Sequence, residues 1–172
     1  MRDMGDIIEV YHAGIDHIAT PDVVHSRTQL DFGPGFYLTD IYDQAINWAI
    51  RRSNKFGKAP VINKYLLRKE ELLSQIGDRY VIFNEYNEDW LDFVVGNRLG
   101  QLLWKDYDYV EGGVADDRVV DTIDLYMTGF ISRAEAIERL KYLKPNNQIC
   151  ITNQVLLDEY LSFTDSVVVE KI

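Results

Sequence analysis

The chain has one cysteine, three histidines and four prolines, and only 18 basic residues against 28 acidic ones. A lone Cys150 excludes an internal disulfide and suits a reducing cytoplasm. The three histidines and the cysteine show no metal-ligand spacing, so a zinc-enzyme reading has no support. There is no Gly-Lys-Ser/Thr phosphate loop and no Gly-x-Ser-x-Gly elbow. Gly33-Pro34-Gly35 lacks the third glycine and precedes a strand instead of opening a helix, so it is not a Rossmann turn. No stretch approaches the roughly 20 apolar residues of a membrane span, so no membrane partner is expected. Residues 1–6 lead straight into strand-like sequence without the apolar run of a signal peptide, and a cytoplasmic location is expected. The net charge of −10 disfavours broad binding to phosphate backbones and suits a basic partner.

What is present is an ordinary globular composition, 47% apolar and 27% charged over 172 residues. That length fits one core, and a single domain over residues 1–172 is expected. β-Branched and apolar runs predict strands at residues 7–11, 35–38, 61–67, 80–83, 107–111, 113–115, 148–151 and 166–170. Residues 13–34 read as loop. Ile41, Ala45, Trp48 and Ala49 recur at helical spacing, predicting a helix over 40–52 capped by Asp40 or Thr39. Further helices are predicted at 87–99, 119–127, 133–142 and 154–161. Gly129 ends the third of these five, and Ser132 with Glu135 forms a capping box for the fourth. Strands and helices alternate irregularly, which indicates α+β with antiparallel sheet, not a doubly wound parallel sheet.

Three segments carry the candidate chemistry. The first is Val10-Tyr11-His12-Ala13-Gly14. The second is Asp31-Phe32-Gly33-Pro34-Gly35-Phe36-Tyr37-Leu38-Thr39, continuing to Gln44-Ala45 and Trp48-Ala49. The third is Asn147-Gln148-Ile149-Cys150-Ile151-Thr152. Their order and residue types resemble the ADP-ribosyltransferases of the diphtheria-toxin and poly(ADP-ribose) polymerase branch, marked by a His, Tyr, Glu triad on three strands. Within it, the chain is similar to bacterial proteins held to be toxins of toxin–antitoxin pairs.

The resemblance implies a split antiparallel two-sheet ADP-ribosyltransferase core with flanking helices, and NAD as co-substrate. It implies that His12 holds the ribose beside the adenine, and that Ala13, where the family has glycine, holds the nicotinamide carboxamide by its backbone. Tyr37, in the Gly33-x-Gly35-x-Tyr37 segment, and Trp48, where the branch has a second tyrosine, would sandwich the nicotinamide ring. Gln148 falls where the triad glutamate begins its strand and would contact the ribose 2′-OH. Arg27 would meet the pyrophosphate. A glutamine keeps a hydrogen-bonding carbonyl but cannot act as a base. Poly(ADP-ribose) growth is therefore not expected, and mono-transfer requires a base from elsewhere, with Asp31, Glu111, Asp116 and Asp117 as candidates.

Each residue also has a bland reading. His12 alone is a strand-end histidine bound to backbone, Tyr37 a strand-face packer, and Trp48 a core anchor on an apolar stripe. Asp116-Asp117 alone is a turn or helix cap. The ordered set carries the functional expectation: an NAD-dependent mono-ADP-ribosyltransferase acting on a macromolecular acceptor, plausible as a toxin with a cognate antitoxin. The rivals are an NAD glycohydrolase, a non-catalytic NAD- or partner-binding module, and removal of phosphate from RNA ends, which would want a more basic cleft.

Overall fold

A computed structural model describes residues 7–24, 31–115, 117–143 and 146–170. Among them are two sheets and six α-helices. The first sheet has the order β1-β3-β7, from β1 (Ile7–Gly14), β3 (Val61–Arg68) and β7 (Leu161–Val168), all antiparallel. The second has the order β2-β6-β5-β4, from β2 (Phe36–Leu38), β6 (Gln148–Ile151), β5 (Tyr109–Gly112) and β4 (Tyr80–Ile82). Its β4–β5 pair is parallel, so the expectation of purely antiparallel sheet fails at that edge. The crossover from β4 to β5 contains helix α3 (Glu88–Arg98), the kind of connection a parallel pair needs.

The sheets pack on one another through alternate residues. Val10, Tyr65 and Leu67 meet Phe36, Leu38, Tyr109, Ile149 and Ile151 in one buried cluster. The other face of the second sheet is covered by α3, α4 (Asp117–Met127) and α5 (Arg133–Leu140), around fully buried Trp90, Ile123 and Leu140. Helix α1 (Tyr42–Phe56) lies on the outer face of the first sheet, where Ala45 and Ala49 pack against Ala13 and Ile62. Small residues on both sides allow that close approach.

Local chemistry sets the boundaries. Asn87 caps α3 by accepting from the Trp90 N–H, and Ser132 caps α5 by accepting from Glu135 N–H. Gly129, at φ +79°, closes α4 as expected. Helix α1 begins two residues later than predicted, with Ile41 at its N-cap and no side-chain cap bond. Thr39 instead accepts from Ile41 N–H at 3.1 Å, outside the helix. Residues 113–115 form no strand. Val114 gives its N–H to Asn146 and its carbonyl to the Tyr86 hydroxyl, so its backbone is satisfied by side chains and not by a ladder. Helix α2 (Lys69–Ile76) follows β3 without a loop, and β7 follows α6 (Gln154–Tyr160) directly, five residues before the predicted strand. None of the described helices is long and apolar enough to cross a membrane.

Candidate active site

Among the described residues, one backbone bridge joins the two sheets. Tyr11 N–H donates to Thr39 O at 2.8 Å, and Thr39 N–H to Tyr11 O at 2.9 Å. In an antiparallel ladder the next such pair lies two residues on, here Ala13 with Tyr37. It does not form. The His12 ring takes the Tyr37 carbonyl instead, with Nδ1 at 2.8 Å, and stacks on Phe36 at a centroid distance of 4.5 Å. One imidazole thus splits what would otherwise be a continuous sheet.

The split leaves polar backbone over. The even residues of β1 face β3, so the N–H and C=O of Ala13 point off the free edge, as those of Tyr11 do. Neither group of Ala13 finds a partner across the split, although Ala13 is buried. The Tyr37 N–H points into the same gap, since Phe36 and Leu38 carry the pairing to β6. Because a carbonyl can only accept, His12 Nδ1 must carry the proton, and Nε2 is a bare acceptor. Burial lowers the His12 pKa below the ordinary histidine value, against the raising effect of the Tyr37 carbonyl, and so favours that neutral form.

Side chains directly opposed in a ladder share a face. The Tyr11–Thr39 bridge therefore puts Ala13, Tyr37 and Thr39 on one side of the split, with Cys150 opposite Tyr37 and Gln148 two residues before it. Trp48 is half-buried on this side, packed with the Ala13 cluster. His12 lies on the opposite face. Continuing the β2–β6 register by one residue sets Thr39 beside Gln148, about 10 Å from Tyr11 at the usual strand spacing.

Gln148 has 6% of its surface exposed and no hydrogen bond from its side chain. No fully buried side-chain polar atom among the described residues lacks a partner, so this amide touches the open side. The residue before it is held firmly. The Gln44 amide spans the Asn147 backbone, donating to O at 2.7 Å and accepting from N–H at 3.0 Å. Asn147 Nδ2 donates to Asp40 and to Glu111, each at 3.0 Å. Buried Glu111 also receives Lys69 Nζ at 2.7 Å and the Tyr109 hydroxyl at 2.6 Å. Burial and the neighbouring Glu111 carboxylate push the Tyr109 pKa far up, so this hydroxyl stays a donor. Sequence reading named Glu111 as a base and missed Gln44, Lys69 and Asn147 as its setting.

The remaining expected site residues fall as follows. The Tyr37 hydroxyl donates to Gly33 O at 2.6 Å and accepts from Phe32 N–H, so it fixes the loop before β2. Its pKa is raised well above the ordinary value by burial and by Cys150. Burial likewise pushes the Cys150 thiol up to about 12, which makes it unreactive. Gly35 lies against β6, where a Cβ would come within 2.6 Å of Cys150 Sγ, so its role there is close packing. Tyr37 and Trp48 pack against different clusters with no ring contact between them. Asp31 is held by Arg98 through two bonds of 2.7 and 3.2 Å. Arg27, Asp116 and the Asp117 side chain lie outside the described residues.

An open cleft of about 310 Å³ adjoins the split without including His12, Tyr37, Trp48 or Gln148. It is lined by Asp40, Asn147 and Gly113, at the strand ends beyond the Thr39–Gln148 pair, together with Phe83, Glu85 and Tyr86. No curated protein and no solved structure matches the chain. Residues 8–163 match the family described as protein of unknown function (DUF3990), and the chain belongs to that family.

Proposed function

We propose that this protein is an NAD-dependent mono-ADP-ribosyltransferase built on a split ADP-ribosyltransferase core. The observation that carries the reading is the interrupted pairing of β1 with β2. It leaves the Ala13 N–H and C=O side by side at a buried edge, one donor and one acceptor. A primary carboxamide presents the complementary pair, and nicotinamide ends in one. An unpaired buried amide group costs about 1–3 kcal/mol, so the edge favours a ligand that completes it.

The neighbouring groups suit the rest of that substrate. His12 Nε2, a bare acceptor, takes a ribose hydroxyl. Trp48, half-buried on the Ala13 side of the split, offers an indole face to a pyridinium, while Tyr37 packs in the neighbouring cluster behind the split. The partnerless Gln148 amide reaches the nicotinamide-ribose 2′-OH. Holding that ring and ribose in fixed register favours breakage of the glycosidic bond toward an oxocarbenium ion. An intracellular toxin with a cognate antitoxin is the biological setting this activity suits.

The absence of a carboxylate at position 148 supports a second reading, a module that binds NAD without turning it over. One experiment separates the two. Purified protein is incubated with adenylate-labelled NAD and a cell lysate, then treated with protease or nuclease. Release of nicotinamide with label on a macromolecule, lost in Gln148→Ala, is the expected result. Release without label indicates glycohydrolysis, and NAD binding without release indicates the module.

A further inference from the structure

The cleft beside the split is lined by groups that accept hydrogen bonds. Asp40 spends one carboxylate oxygen on Asn147 Nδ2 and keeps the other. Glu85 is exposed and has no side-chain partner. Asn147 uses its nitrogen on Asp40 and Glu111, which leaves its amide oxygen uncommitted. Asn84 has no side-chain bond either, and Phe83 and Tyr86 supply the apolar part of the wall. Among the described residues, no lysine, arginine or histidine lines the cleft. Two carboxylates, spare amide oxygens and aromatic carbon together ask for a planar, donor-rich cation.

Position adds a second observation. Asn147, in the cleft wall, directly precedes Gln148, the nearly buried side chain that has no partner. The Thr39–Gln148 pair thus has the split on one side and the cleft on the other, about two residues, or roughly 7 Å, along the strands each way.

We propose that this cleft seats the acceptor and takes the guanidinium of an arginine side chain. The inference rests on the transferase reading and names its substrate class. In the reaction, the bond from the anomeric carbon to nicotinamide breaks with its electron pair going to the pyridine nitrogen. A guanidinium nitrogen forms the new bond to that carbon and sheds a proton, which passes to the Asp40 or Glu85 carboxylate and then to water. This supplies the base that Gln148 cannot be, from residues that sequence reading did not consider for it. Asp31 and Glu111 are already committed to Arg98 and Lys69.

The test uses agmatine, the decarboxylated form of arginine, titrated into the whole protein and followed by NMR without NAD. Shifts are expected at the Asn84 and Asn147 side-chain amides. Affinity should fall up to about fivefold for Glu85→Gln and again for Asp40→Asn, the range of exposed cation–carboxylate contacts. Glu85 holds nothing in place, so its variant keeps the fold, and thermal unfolding checks both proteins. The inference is overturned if agmatine causes no shift, if both variants bind it equally, or if a short single-stranded RNA occupies the cleft in preference. With NAD added, mass spectrometry should find ADP-ribosylated agmatine. Agmatine binding without any NAD turnover removes the transferase reading and with it the acceptor role, leaving a cation site. NAD turnover that leaves agmatine neither bound nor modified overturns the cleft inference alone.

Discussion

The helix-packed core and the β1–β2 seam behave differently. On the helix side, Trp90, Ile123 and Leu140 are fully buried, and the one polar atom of Trp90 is bonded to Gly113 O. The β1–β2 seam instead leaves polar groups unspent: the Ala13 edge, the Tyr37 N–H, His12 Nε2 and the Gln148 amide. The core beneath the helices is filled by apolar side chains. The seam is braced at one end, where Gln44 and Glu111 hold Asn147 at the start of β6. Substitutions in the core and at the seam should part accordingly.

The largest effect is expected on the packed side. Trp90→Ala removes a fully buried indole and its bond to Gly113, and should cost about 3–5 kcal/mol in denaturant unfolding. The brace comes next. Glu111→Ala strands the Lys69 ammonium and the Tyr109 hydroxyl, and should cost about 3 kcal/mol. A comparable loss at Gln148, which braces nothing, would break the comparison. Gly33→Ala should cost about 1–3 kcal/mol. Its φ is +90°, and a Cβ would stand 2.3 Å from Trp104 Cγ. Activity would follow only through the loop that Tyr37 holds.

His12 predicts a pH dependence. Its folded pKa lies below the unfolded one, so the stability it contributes is complete above about pH 6.5. As pH falls the unfolded chain takes up the proton first, and stability declines until the folded pKa is passed. Thermal unfolding of His12→Asn should show a flatter profile below pH 6.5 than the parent. The smallest stability change belongs to Gln148→Ala, within about 1 kcal/mol because no hydrogen bond is lost. Nicotinamide release should nevertheless fall at least tenfold in the same protein.

Much of the fold was legible because its elements announce themselves locally. The caps at Asn87 and Ser132, the glycine stop at 129, and the β-branched and apolar runs of β1, β3 and β6 all depend on neighbours in sequence. What escaped reading was set by distant partners. Residues 113–115 have strand composition, yet Asn146 and Tyr86 claim the backbone of Val114. Lys69-Glu70-Glu71-Leu72 has good helix formers, but no break separates it from β3 to mark a start. The site divided in the same way. His12, Ala13 and Gln148 were expected only through the resemblance of their segments to a family, whereas Gln44 acts on Asn147 across 103 positions of chain and nothing near either residue signals it. The meaning of His12 as the wedge between two strands required the register of both.

The claim on which the account turns is that the Ala13 edge receives a carboxamide. Ala13→Pro tests it most directly, because proline removes the N–H at an edge position where no ladder bond is lost. NAD binding is followed by NMR in the parent and by calorimetry in both proteins, with thermal unfolding as the control. The account predicts that NAD shifts the Ala13 and Gln148 amides in the parent, and that the variant keeps its fold while its affinity falls at least tenfold. NAD affinity equal in the two folded proteins, or shifts confined to residues away from the seam, would contradict it.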